Sequence, residues 1–130
     1  MNPSPLQQSH TATQNGSIIY LTHGGGPLPL LGDPDHRELV DFLRRIPEAL
    51  IKPSAILVIS AHWEEGLPTI TGGAAPELFF DYYGFPEESY ALTYPAPGAP
   101  QLAAKIRDLF RNQGLAAELD EERGYDHGVF

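Results

Sequence analysis

Two short apolar runs rich in β-branched residues, Ser17-Ile-Ile-Tyr-Leu-Thr22 and Ala55-Ile-Leu-Val-Ile-Ser60, lack the polar alternation of a half-solvated strand. Such runs suit strands buried on both faces of a parallel sheet. Each passes directly into a polar cluster containing a histidine, His23-Gly24-Gly25-Gly26-Pro27 after the first and Ala61-His62-Trp63-Glu64 after the second. Between them Leu39, Phe42, Leu43 and Ile46 recur at helical spacing. Asp33 before Pro34 can cap that helix, or Asp35 can form a capping box with Glu38, and Pro47 breaks or kinks the chain beyond Ile46. The pattern predicts a strand, a crossover helix and a second parallel strand. His36, in the first helical turn among charged neighbours, reads as a solvated helix residue.

Further along, Leu67-Pro-Thr-Ile-Thr-Gly72 reads as a short edge-like strand at best, because of its proline. Pro100 opens a second helix, Leu102, Ala103, Ile106, Leu109 and Phe110 form its buried stripe, and Gly114 sits where a C′ glycine belongs. Leu115 to Leu119 is a third main strand. It leads through acidic Asp120-Glu121-Glu122-Arg123 to Gly124-Tyr125-Asp126-His127-Gly128, a third histidine placed beyond a strand. The fold class expected is α/β, a mostly parallel sheet flanked by helices. In such open sheets the ligand site lies just beyond the carboxyl ends of the strands, which makes His23, His62 and His127 the candidates for chemistry.

Composition narrows the partners. At 130 residues the chain is at most one domain, and 13 glycines with 13 prolines, a fifth of the total against about 12 % in average usage, predict long shaped loops. Eight basic and 17 acidic residues give a net charge of −9, which repels phosphate backbones and anionic lipid, so neither nucleic acid nor a membrane is an expected partner. The absence of cysteine excludes disulfides, thiolate metal sites and thiol catalysis and is compatible with the expected cytoplasmic location. Residues 1–16 are polar, lack a signal-peptide core and read as a disordered lead-in, leaving residues 17–130 as the structured unit. The end at Val129-Phe130, with no polar tail and no helix stop, reads as a cut.

Several motifs are missing: no phosphate-binding Gly-x-x-x-x-Gly-Lys, no Gly-x-Gly-x-x-Gly, no His-Glu-x-x-His, and no Gly-x-Ser-x-Gly elbow to accompany the esterase-like His-Gly-Gly-Gly run. Two neutral imidazoles from the ends of adjacent strands can instead chelate a divalent transition ion, with a carboxylate such as Glu64 as a possible companion. The segment from Leu78 to Pro86 packs five aromatics into seven positions, Phe79 to Phe85, which fits either a pocket wall for a planar ligand or core filling beneath a loop.

Taken together, His23-Gly-Gly-Gly-Pro27, Ser60-Ala-His62-Trp-Glu64, Asp81-Tyr-Tyr-Gly-Phe-Pro86, Tyr94-Pro-Ala-Pro-Gly98 and Arg123-Gly-Tyr-Asp-His127-Gly128 resemble the class III extradiol ring-cleavage dioxygenases. The resemblance is to their DOPA 4,5-dioxygenase-like branch, related to the LigB subunit of protocatechuate dioxygenase, and covers residues 17–130. It implies the N-terminal half of a LigB-like catalytic domain with a non-heme Fe(II) site, in which zinc is also accommodated. His23 and His62 would be metal ligands. His127 would line the substrate pocket and assist proton transfer, Asp126 would orient its ring, Glu64 would stand behind the ligands, and Tyr83 and Phe85 would contact a catechol that reacts with O2. Members of the family are about twice as long, with the remaining metal ligand and another catalytic histidine in their second half. The expected partner is therefore a second copy of the chain or a complementing C-terminal half. A non-catalytic binding module of the same fold and a zinc hydrolase are the alternative readings.

Overall fold

The computed structural model describes residues 16–130, so the expected lead-in over residues 1–16 lies almost wholly outside the described residues. Element order is α1 (Arg37–Ala49), β1 (Thr69–Thr71), α2 (Pro100–Asn112) and β2 (Glu118–Asp120), with single 3-10 turns at Pro34–His36 and Glu87–Ala91. Strands β1 and β2 pair in parallel, Thr69 opposite Glu118, Ile70 opposite Leu119 and Thr71 opposite Asp120. The carbonyl of Pro68 accepts from Glu118 N–H at 3.0 Å, and Gly72 N–H donates to Asp120 at 2.7 Å, so the proline stands just before the strand where its missing donor costs nothing. A parallel bridge between Leu78 and Tyr125 extends this alignment towards the third histidine. The fold is α/β with a parallel sheet, as the hydrophobic pattern predicts.

Helix α2 packs on both strands. It begins at Pro100 and ends before Gly114, whose φ of +75° is the left-handed conformation of a helix-terminating glycine. Of its expected stripe, Ala103 is buried at 5 % exposure, but Leu109 is 58 % exposed and does not belong to the core. Ala117, before β2, is likewise buried.

The two longest apolar runs depart from expectation. Residues 17–22 and 55–60 are free of assigned strand, and Ile18 and Ile59 are 102 % and 91 % exposed. A strand is stabilised by its neighbour's hydrogen bonds and side chains, and among the described residues neither run has such a neighbour. Helix α1 forms as its periodicity predicts and continues two residues past Pro47. Among the described helices, turns and strands it packs on the turn that precedes it, Leu39 also lies beside Gly24, none of its residues is buried, and it does not cross over a sheet. No helix among the described residues is long and apolar enough to cross a membrane.

Candidate metal centre

His23, His62 and His127 converge from three distant segments. Each offers one ligand-capable nitrogen, and these three atoms lie within 4.8 Å of one another. The Nε2 atoms of His23 and His62 are 2.7 Å apart, and the His127 ring centroid is 3.9 Å from that of His62 and 5.2 Å from that of His23.

Different contacts bring each histidine here. The loop carrying His23 turns through Gly24 and Gly26, with φ of +72° and +56°, a backbone that other residues rarely adopt. A Cβ on Gly26 would also meet the Phe85 ring at 2.9 Å, so Phe85 packs directly against this loop. His62 is fixed through Ser60. The Ser60 hydroxyl accepts from His62 N–H at 3.1 Å and donates to Asp126 Oδ1 at 2.6 Å, joining the second histidine segment to the third. Asp126 is 2 % exposed, accepts as well from Gly128 N–H at 2.9 Å, and lies 3.6 Å from the Arg123 guanidinium. That guanidinium stacks against Trp63 and Phe79, 5.0 and 4.4 Å from their ring centroids. Gly128 permits the crowding, since a Cβ there would lie 2.6 Å from Ser60 Oγ and 2.9 Å from the His62 ring.

The carboxylate on the His127 ring is not the expected Asp126. Asp81 Oδ1 accepts from both His127 N–H at 3.0 Å and ring Nδ1–H at 2.7 Å, while both oxygens of Asp126 face Ser60, Gly128 and Arg123. The chain turns at residues 126–129, where Val129 N–H donates to the Asp126 carbonyl, and the Asp126 carboxylate is taken up by Ser60 and Gly128, so the neighbour in sequence is not the neighbour in space. Burial pushes the Asp81 carboxyl up, but the hydrogen bonds from His127 outweigh it and the net shift is downward. With Nδ1–H given to Asp81, neutral His127 leaves Nε2 as its accepting nitrogen. A cue was available in sequence: a carboxylate embedded in an aromatic run has to find a donor.

Electrostatics favour neutral imidazole at His23. Its pKa is lowered, first by burial and then by repulsion from His62 and His127. His23 Nδ1 is buried and has no hydrogen-bond partner among the described residues. Neutral, converging imidazoles are the donor set that Fe(II) and Zn(II) accept, so the three side chains fit a divalent transition metal.

The remaining expected positions separate. Glu64 is exposed, outside the histidine group and without a hydrogen bond among the described residues; it is Glu65 that takes the Trp63 indole N–H, at 3.1 Å. Tyr83 is 90 % exposed. Tyr82 is the ring set edge-on to His127, at 5.7 Å, with Phe85 5.4 Å behind it and its hydroxyl donating to the Ser89 carbonyl. His36, expected in solvent, is instead drawn into the glycine loop, where its Nε2 accepts from Gly25 N–H at 3.0 Å.

Residues 16–130 match the family model described as the catalytic LigB subunit of aromatic ring-opening dioxygenase. The chain belongs to this LigB family. It is 51 % identical over 121 residues to the dioxygenase tasH of Hapsidospora irregularis, an alignment covering 87 % of this chain and 37 % of that protein. It is 36 % identical to the 4,5-DOPA dioxygenase extradiol of Mirabilis jalapa over 85 % of this chain and 41 % of that one. With the 4,5-DOPA dioxygenase extradiol of Escherichia coli (strain K12) the identity is 34 %, over 85 % of this chain and 39 % of the relative. The LigB-family chain thus spans about two fifths of the length of the curated relatives it matches.

Proposed function

We propose that this chain carries the histidine portion of an extradiol ring-cleavage centre, in a protein that inserts O2 into a catecholic, DOPA-like substrate. The observation that carries the reading is the convergence of three histidines from separate segments within one family-matched chain. His23 and His62 would hold a non-heme Fe(II), or zinc in the same place. When bound, that metal supplies the redox and Lewis-acid chemistry that joins a catechol to O2.

The chain's own residues have distinct tasks. His127 takes a catechol proton at Nε2 and returns one later, the general acid–base role that a positioned imidazole performs. Asp81 holds the ring so that Nε2 and not Nδ1 faces the reaction, and it stabilises the imidazolium that forms on protonation. The edge of Tyr82, with Phe85 behind it, offers an apolar flank beside His127 against which a planar ring can lie.

The test is metal binding and turnover at the full length of the relatives, set against the chain alone. At full length, anaerobic titration should show equimolar Fe(II) that His62→Ala abolishes while far-UV circular dichroism is unchanged. A full metal complement in that variant would remove His62 from the site. Alone, with Fe(II) and DOPA under air, the chain should consume oxygen no faster than free iron, because two imidazoles hold an ion weakly. The chain extended to the length of its relatives should give the yellow ring-opened product, and should lose it in His127→Ala.

A further inference from the structure

The glycine loop that presents His23 is tied to the start of α1 by a side chain that the proposed chemistry does not use. His36 Nε2 accepts from Gly25 N–H at 3.0 Å, and its Nδ1–H donates to Asp33 Oδ2 at 2.5 Å. The His36 ring lies flat enough against the loop that a Cβ on Gly24 would fall 2.5 Å from its Cδ2. Its side chain is only 19 % exposed, although it stands at a helix start among charged residues. Asp33 precedes the 3-10 turn and makes no side-chain hydrogen bond to that turn's backbone. Its carboxylate serves the His36 ring instead.

We infer that Asp33 and His36 form a latch that sets the position of the loop at residues 24–26 and, through it, the His23 imidazole. They are positioning residues for the metal-binding group, and the inference rests on the reading of His23 as a ligand. The chemistry is specific. The Gly25 amide needs an acceptor at the position of Nε2, so the imidazole must carry its proton on Nδ1, and Asp33 is placed to hold that tautomer. Gly24 and Gly26 leave the loop backbone with wide conformational freedom in the unfolded chain, which makes a fixed side-chain anchor the means of choosing one conformation. An anchor two residues from a ligand acts on affinity as an outer-shell partner does, for which losses of about 10-fold to 100-fold are usual.

The experiment uses the whole chain with Zn2+ as the probe. Imidazole 15N spectra of the wild type should show His36 as the Nδ1–H tautomer, and the Gly25 amide should be protected from exchange. Calorimetric titration should show His36→Leu binding Zn2+ at least 10-fold more weakly than the wild type, with helix content retained. His36→Gln, which restores an acceptor for Gly25, should recover most of the loss. Asp33→Ala should shift the His36 tautomer and weaken Zn2+ binding by a smaller factor, which keeps the idea testable if His36→Leu fails to fold. Wild-type affinity in Asp33→Ala, or in a folded His36→Leu, would overturn the latch while leaving the metal centre standing. Absence of Zn2+ binding in the wild type would overturn both, and the tautomer and exchange data would then show whether the loop contact exists without that purpose.

Discussion

Asp81 holds His127 twice with one oxygen, through the backbone N–H at 3.0 Å and through ring Nδ1–H at 2.7 Å. The double contact fixes the backbone and the ring together, so the direction in which the histidine presents Nε2 is set by a residue 46 positions away.

Removing that carboxylate should cost both order and tautomer. Hydrogen bonds to a charged acceptor contribute about 1.5–3 kcal/mol each and are not additive, so Asp81→Ala should lower unfolding free energy by about 2–4 kcal/mol. Urea denaturation measures the loss. In the 15N spectrum His127 should change from a single tautomer to a mixture. A variant as stable as the wild type with an unchanged His127 signal would show that the contact is incidental.

A second expectation concerns the tie between the His62 and His127 segments. Ser60→Ala removes the hydroxyl that Asp126 accepts from and leaves a buried carboxylate with one donor fewer. The cost should be about 1–3 kcal/mol, with Fe(II) or Zn2+ affinity falling as the two segments separate. Equal stability and equal affinity would mean that Arg123 and Gly128 suffice to hold Asp126.

Adjacent tyrosines should behave oppositely. Tyr83→Ala, at an exposed position, should change stability by no more than about 0.5 kcal/mol. Tyr82→Ala, which strips the ring packed among Phe80, Phe85, Tyr90 and His127, should cost about 2–3 kcal/mol and, at full length, raise the KM for a catechol. If Tyr83→Ala is the one that raises KM, the substrate wall lies on the other face of this segment.

Two phenols should titrate late. Burial pushes the pKa of Tyr82 up, opposed by its hydrogen bond to Ser89 and reinforced by Tyr90 and Asp81, and burial with Tyr94 pushes up Tyr125. A raised folded-state pKa contributes stability that is complete below the unfolded value near 10 and is lost as pH rises through the folded value. Absorbance at 295 nm should therefore show a late-titrating component that Tyr82→Phe and Tyr125→Phe each reduce. Stability should fall above about pH 10, more steeply in the wild type than in the double variant.

Much of this was legible in sequence because local chemistry declares itself. Pro100 and Gly114 bracket α2, Pro68 delays β1 to Thr69, and three histidines following candidate strands meet in space. What escaped depends on distant partners. The apolar runs at residues 17–22 and 55–60 have strand composition, but composition supplies no neighbour to pair with. Asp126 adjoins His127 in sequence and serves Ser60, while Asp81 serves the histidine from 46 residues away. His36 looks solvated until the loop of residues 24–26 folds back on it.

The pairing of Ser60 with Asp126 has a consequence for how this protein would respond to its ion. The His127 side is braced by the ladder from β2 to Tyr125, whereas the His23 and His62 segments lie on unpaired chain held by a few polar links. An ion held by His23 and His62 would cross-brace the two loose segments, and the Ser60–Asp126 link would carry that brace to the firm part. Binding and rigidity then become a single equilibrium: at an ion concentration 100 times the dissociation constant, resistance to unfolding rises by about 2.7 kcal/mol. A melting curve recorded with and without metal would thus measure occupancy of the centre before any substrate has been found.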